Sequence, residues 1–431
     1  MQVSVEAGEG LERRMTVELP AEQVDQEVEK RLRKIARTAR MDGFRPGKVP
    51  MSIVRRRYGG EVRQEVFGEL VQSTFYDAAS KEELKPAGLP RIEPAKEEEG
   101  EGAFRYTAVF EVMPDITLAS LDEVVIKRPV AEVTEADVDE MMERLRKQRT
   151  TWKDVERPAQ EGDQLTISFK GTIEGEPFEG GEAEDYALVL GAGTMIEGFE
   201  DGLVGAGAGE IRTLELKFPD DYRAEDLAGK PVAFEVSITK VAEPVLPELD
   251  DEFAKSFGVS EGGLAKLRED VRANMERELA DRIKARVKSQ VMDALLEAHP
   301  IEVPKALVDE EVESLKNQTR QRLGGNTNFE LPGEMFEEEA KRRVTLGLVI
   351  AELVKANNIE LDADRVRQTV EDIAASYEDP DEVVKFYYGN RNQLASVESV
   401  VLEDQAVDWV LDHVKVEDEP SDFMSLTEQS E

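Results

Sequence analysis

Between Lys30 and Arg57 every charged residue except Asp42 is a cation, in a chain whose formal net charge is −39. Inside this run lies 41-MDGFRPGKVP-50, where Phe44 stands beside Arg45, with Lys48 close behind. An exposed ring next to a guanidinium is a recognition pair: the ring fills a pocket and the cation meets a phosphate or carboxylate. Gly43 and Gly47 allow tight turns, while Pro46 and Pro50 stiffen the segment and lower the cost of ordering it on binding. The chemistry is therefore docking to an anionic partner. The alternative is a basic helix face neutralised by acids of its own fold, with Phe44 turned inward.

Other chemistries are excluded by residue type. The chain has no cysteine, so disulfides, thiolate metal sites and cysteine nucleophiles are absent. His299 and His413 are the only histidines, too few for a histidine metal cluster. No cofactor is expected. The stretch LVLGAGTMIEG imitates a dinucleotide fingerprint, but G-x-G-x-x-G needs glycine where Ile196 stands, and no alternating strand–helix units surround it. GAGAG at 205–209 is a turn-rich loop with no helix after it.

The elements that position these residues follow from periodicity. Val3/Val5 and Met15/Val17/Leu19 alternate on either side of AGEGLE, a hairpin signal. Val24, Val28, Ile35 and Ala39 then fall at helical spacing, and a second helical region covers about 51–84, interrupted at Gly59-Gly60. Strand-like runs at 91–95 and 103–113 complete an α+β module over 1–113. Residues 114–151 read as a linker with one strand and a helix opened by Thr134 and Asp137, a capping box. From 152 to about 242 short β-runs alternate with turns. Beyond 246 the chain is helical, with Ser260 as the cap of a helix running to about His299. Its apolar residues, from Leu267 to Leu295, recur every four positions, a stripe that drifts about 40° per step, so its two ends face different partners. Further helices are expected at about 304–323, 333–357, 363–378, 381–388 and 392–414, and residues 417–431 read as a disordered acidic tail.

Hydrophobic content of 40% with 35% charged residues is globular, and 431 residues suffice for two to four domains. So acidic a chain repels nucleic acid and anionic membranes except through a local basic patch. The N-terminal MQVSVEAGEGLERRM lacks an apolar core of the export type, and no run approaches a membrane span, so a cytoplasmic protein is expected.

GFRPGKVP resembles the G-F-R-x-G-K-x-P signature of the bacterial trigger factor family, chaperones that dock at the ribosomal exit tunnel. The resemblance implies that Gly43, Phe44, Arg45, Gly47 and Lys48 bind a ribosomal protein and adjacent rRNA, and the order of domains extends it over the whole chain. ISFKGTIEGEPFE, LGAGTMIEGFEDGLVGAGAGE and LAGKPVAFEVSITKV resemble an FKBP-type peptidyl-prolyl isomerase. By that resemblance Phe169, Phe178, Glu179, Met195, Ile196, Phe199, Tyr222 and Phe234 surround the pocket. Two positions depart from the typical FKBP: Phe199 replaces the floor tryptophan, and Glu179 replaces an aspartate.

Such residues suit the reaction. Peptide-bond rotation faces a barrier of about 18–20 kcal/mol that arises from resonance. A dry aromatic pocket disfavours the charge-separated form and binds the twisted amide, with no nucleophile or metal. The same rings could instead form the core of a small β domain.

The expected architecture is multidomain α+β: a ribosome-binding module (1–113), a linker (114–151), an FKBP-like β-rich isomerase (152–245), an all-α chaperone domain (246–416) and a tail (417–431). The expected function is an ATP-independent chaperone that shields nascent chains and isomerises X–Pro bonds. Its expected partners are the ribosome, unfolded polypeptides and, off the ribosome, a second copy of the chain. A free prolyl isomerase with a helical dimerisation or recruitment module, and an acidic RNA-binding adaptor with a silent β domain, are the alternatives.

Overall fold

The hairpin read from alternation is present: β1 (Gln2–Ala7) runs antiparallel to β2 (Glu12–Pro20), with Val5 opposite Met15 and Val3 opposite Val17. This computed structural model describes residues 1–38, 44, 49–94, 103–222, 224, 226–324, 331–375, 377 and 379–427. Two helices follow the hairpin, α1 (Ala21–Thr38) and α2 (Met51–Lys81). Then come β3 (Arg91–Pro94) and β4 (Ala103–Glu111), which complete an antiparallel sheet of order β1-β2-β4-β3. Every second residue of β2 points inward, so Met15, Val17 and Leu19 meet Phe75 and Ala78 of α2 and Tyr106 of β4 in one core. The Tyr106 hydroxyl is satisfied there by Thr74 Oγ1 at 2.8 Å and by the Val71 carbonyl at 3.2 Å.

The interruption expected at Gly59-Gly60 does not occur; α2 is continuous over 31 residues. Each glycine costs a helix roughly 1 kcal/mol relative to alanine. Val54, Val62 and Val66, on both sides of the pair, pack with Leu32 of α1 and outweigh that cost.

The segment expected to be a linker is built into the fold. Its strand β5 (Val125–Val130) and helix α3 (Glu135–Gln148) are ordered elements, and the capping box of Thr134 and Asp137 is formed. The β-rich part holds β6 (Thr151–Asp154), β7 (Gln164–Ile173), β8 (Glu176–Val189), the short α4 (Phe199–Leu203), β9 (Ile211–Lys217) and β10 (Pro231–Val245). Its sheet has the order β6-β10-β7-β8, with β9 also on β10.

Helices follow: α5 (Asp251–Ser256), α6 (Gly263–Ala298), α7 (Lys305–Arg322), a 3-10 turn at Gly333–Phe336, α8 (Glu337–Ala356), α9 (Ala363–Ala374), α10 (Pro380–Gly389) and α11 (Arg391–Leu411). Ser260 does not cap α6. Gly262 and Gly263 turn the chain through positive φ, and the Leu264 N–H donates to the Asp251 carboxylate at 3.1 Å.

The acidic tail is not disordered over its described part. It forms β11 (Lys415–Pro420), which pairs with β5, and α12 (Phe423–Thr427). Phe423 and Leu426, three positions apart, share one helix face and bury it against Met142, Phe253 and Leu267. Residues 428–431 lie outside the described residues.

The chain divides into two compact units, Met1–Arg128 with Ala285–Glu419, and Pro129–Lys284 with Pro420–Glu431. The division cuts across the consecutive segments expected from sequence. In the first unit, Glu111 at the end of β4 accepts the Ala306 N–H at 3.1 Å, so a strand of the N-terminal module satisfies a donor in the first turn of α7. The winding stripe of α6 is split as its drift requires. Leu267, Val271, Met275 and Leu279 belong to the second unit's core. Val287, Val291 and Leu295 are buried beyond the division.

Candidate functional site

Four of the phenylalanines expected to surround a pocket meet in one edge-to-face cluster, the arrangement ring quadrupoles favour. Phe199 and Phe234 have centroids 5.3 Å apart, Phe169 and Phe199 5.8 Å, Phe169 and Phe234 5.9 Å, and Phe178 and Phe234 6.3 Å. Phe199 opens α4 and is 0% exposed; Met195 and Ile196 are half-buried against the same core.

A bulge places Phe178. Lys170 pairs with Glu182 and Thr172 with Pro177, so two steps along β7 face five along β8, and Phe178 and Glu179 lie in the surplus. The ring crosses both strands where they lack side chains. A Cβ on Gly171 would stand 2.6 Å from Phe234 and 2.8 Å from Phe178, and one on Gly181 2.8 Å from Phe178. Glu179 is exposed beside the ring. Tyr222 is 36% exposed and joins the cluster through Phe218, whose centroid lies 4.7 Å from Tyr222 and 5.8 Å from Phe178.

Phe218, Tyr186 and Glu200 escaped the sequence reading. Tyr186 stands edge-on to Phe169 at 6.2 Å. Phe218 sits four residues before Tyr222, and the turn in which the Tyr222 N–H donates to the Pro219 carbonyl at 3.2 Å brings the two rings together. Glu200 carries no signal in sequence, where it is one acid among many. In the fold it is buried, and its two oxygens accept N–H bonds from Gly191 (2.8 Å), Gly193 (3.0 Å), Thr194 (2.9 Å) and Met195 (3.3 Å). Burial pushes this carboxyl up, but the backbone donors, Gly193 and Met195 foremost, outweigh it and hold it below the usual carboxylate range. The next backbone donor, the Ile196 N–H, has no partner among the described residues.

In the basic region Phe44 is exposed, at 38%. Gly43, Arg45, Gly47 and Lys48 lie outside the described residues. The tertiary fold brings acids to part of the cationic run. Arg31 pairs with Glu65 and Glu69, Arg33 and Arg55 with Glu29, and Lys30 with Glu27. The Arg55 bond, set against some burial, holds the Glu29 carboxyl below its ordinary value. Lys34, Arg37, Arg56 and Arg57 make no ion pair among the described residues. A cleft of about 1420 Å³ between α1 and α2 is lined by Lys34, Arg37 and Arg63, and floored in part by Gly59 and Gly60.

In the helical part, Met275 and Met292 are core, whereas Met335 is 73% exposed. Among the described residues no group of three metal-binding side chains exists, and no helix is long and apolar enough to cross a membrane.

Comparison with known proteins matches these regions. The model of the bacterial trigger factor protein covers residues 1–145, its C-terminal counterpart 263–412, and that of FKBP-type peptidyl-prolyl cis-trans isomerase 155–239. A trigger factor of Thioalkalivibrio sulfidiphilus is 50% identical over 427 residues, 99% of this chain and 98% of that protein. One of Pseudomonas paraeruginosa is 52% identical over 432 residues, 100% of this chain and 99% of that protein. A solved structure described as "Promiscuous Substrate Recognition in Folding and Assembly Activities of the Trigger Factor Chaperone" covers 96% of this chain and 99% of its own, at 21% identity and a TM-score of 0.49. With half of its residues shared along the full length, and an FKBP-type module between the two trigger factor regions, the chain belongs to the bacterial trigger factor family.

Proposed function

We propose that the Phe44 loop anchors this protein to an exit-tunnel ribosomal protein and adjacent rRNA, and that the aromatic cluster of the β-rich domain isomerises X–Pro bonds of the chains it shields. As a trigger factor, the protein is an ATP-independent ribosome-associated chaperone with an FKBP-type prolyl isomerase domain. In this reading residues 1–113 bind the ribosome, 152–245 isomerise and 246–416 hold clients in the cytoplasm. Residues 114–151 and 417–427 brace the fold, and a second copy of the chain is the partner off the ribosome.

The observation that carries the isomerase site is the meeting of Phe169, Phe178, Phe199 and Phe234 beside an unpartnered Ile196 N–H. The rings offer a dry wall to the prolyl ring, which disfavours the polar resonance form of the amide. The Ile196 N–H is available to a substrate carbonyl. So is the Tyr222 hydroxyl, which has no hydrogen-bond partner among the described residues. Neither group reacts covalently, and the barrier falls because the twisted amide is bound better than the planar one. The exposed Phe44, and Lys34, Arg37, Arg56 and Arg57 with no ion pair among the described residues, support the ribosomal anchor.

Pelleting with ribosomes tests the anchor. Phe44→Ala/Arg45→Ala is expected to stay in the supernatant while keeping wild-type isomerase activity. The wild type should also detach progressively as salt rises, because phosphate contacts release counterions. Undiminished pelleting of the double variant would remove the loop from the ribosomal contact.

A further inference from the structure

The loop carrying Met195 and Ile196 has no helix or strand, so something else must hold its shape. The Glu200 carboxylate does so: Oε2 accepts from Gly191 and Gly193, and Oε1 from the backbone of Thr194 and Met195 and from the Thr194 hydroxyl at 3.3 Å. Ala192 donates instead to the Val189 carbonyl at 3.3 Å. Every backbone N–H from 191 to 195 is thus engaged, and Ile196 carries the first one left for a ligand. Glu200 also directly follows Phe199, so one short helix holds both the buried ring and the loop.

From this geometry we infer that Glu200 is a positioning residue for prolyl isomerisation: by engaging the N–H groups of Gly191, Gly193, Thr194 and Met195 it presents the Ile196 N–H, with the Met195 and Ile196 side chains, to the proline-containing segment. The inference rests on the reading of this pocket as the isomerase site. Glu200 touches the loop and not the substrate, so its effect passes through the loop's shape. Only an ionised carboxylate is purely an acceptor at both oxygens. Glutamine fills the same volume but turns an NH2 toward either the Gly191 and Gly193 pair or the Thr194 and Met195 pair, setting donor against donor. Aspartate keeps the charge and stands one methylene back.

The test uses the full-length protein, a proline tetrapeptide assay and amide hydrogen exchange, at a temperature where circular dichroism shows each variant folded. Glu200→Gln is expected to lose exchange protection at Gly191, Gly193, Thr194 and Met195. Its kcat/KM should fall by about tenfold to a hundredfold, the scale of a displacement near 1 Å. Glu200→Asp is expected to recover part of both, and prevention of client aggregation should be unchanged in each variant. Wild-type kcat/KM in folded Glu200→Gln would overturn the positioning role, whether or not protection is lost. So would a loss of activity with protection intact, or one that only tracks the unfolded fraction. An inactive wild type would instead sink the isomerase reading on which the inference stands.

Discussion

Phe199 and Phe178 belong to one ring cluster, yet they answer different questions when removed. Phe199 is fully buried, and a buried Phe→Ala costs about 3–5 kcal/mol, a large share of the roughly 5–15 kcal/mol that holds a domain together. A loss of activity in Phe199→Ala would therefore also follow from unfolding alone. Phe178 is half-buried in a bulge, so Phe178→Ala should leave the urea midpoint nearly unchanged while kcat/KM for a proline peptide falls by about tenfold or more. Equal loss of midpoint and activity would make it a core residue only. Glu200 carries a pH signature. Its folded carboxyl lies below the ordinary glutamate value of about 4.5, so its stabilising contribution is fully present above that value and is lost as pH falls through the folded one. Acid unfolding of the wild-type β domain should thus steepen below about pH 4.5, and Glu200→Gln should lack that part of the slope.

At the scale of elements, α12 has the most to show. It is five residues long, too short to be stable alone, and exists because Phe423 and Leu426 enter the core made by α3, α5 and the first part of α6. Burying two such side chains contributes at most about 1.5–3 kcal/mol each. Removal of residues 421–431 is expected to lower the urea midpoint of that core and to raise hydrogen exchange in α3, with isomerase kcat/KM unaffected. Unaltered exchange in α3 would mean that α12 merely rests on the surface. The helix was hidden in sequence because EDEPSDFMSLTEQSE is polar on average, and only the spacing of Phe423 and Leu426 betrays an apolar face. The capping box of α3 was legible, since Thr134 and Asp137 act on neighbours within one turn.

For the whole molecule, charge separates the roles. In a chain of net charge −39, Lys34, Arg37, Arg56, Arg57, Arg63 and Lys81 of α1 and α2 make no ion pair among the described residues, while Glu29, Glu65 and Glu69 neutralise Arg31, Arg33 and Arg55 nearby. The ribosomal contact should therefore be weaker in its salt dependence than the raw count of lysines and arginines implies. Pelleting across a salt series should give a slope that falls further for Arg56→Ala/Arg57→Ala, each lost phosphate contact reducing it by about one. An unchanged slope would place those two arginines outside the contact.

By itself the sequence determined the type of most elements before the acidic tail, and the residue types that meet in the aromatic cluster. Alternation, helical period, caps and the GFRPGKVP and FKBP-like runs are local patterns, read over a few residues at a time. Tertiary structure alone decided which acids quench Arg31 and Arg55, that Glu111 reaches the first turn of α7, that α2 runs through two glycines, and that Glu200 gathers the loop at 191–195. Each of these depends on groups brought together by folding or on a balance of packing against local cost. Neither leaves a periodic trace in the chain.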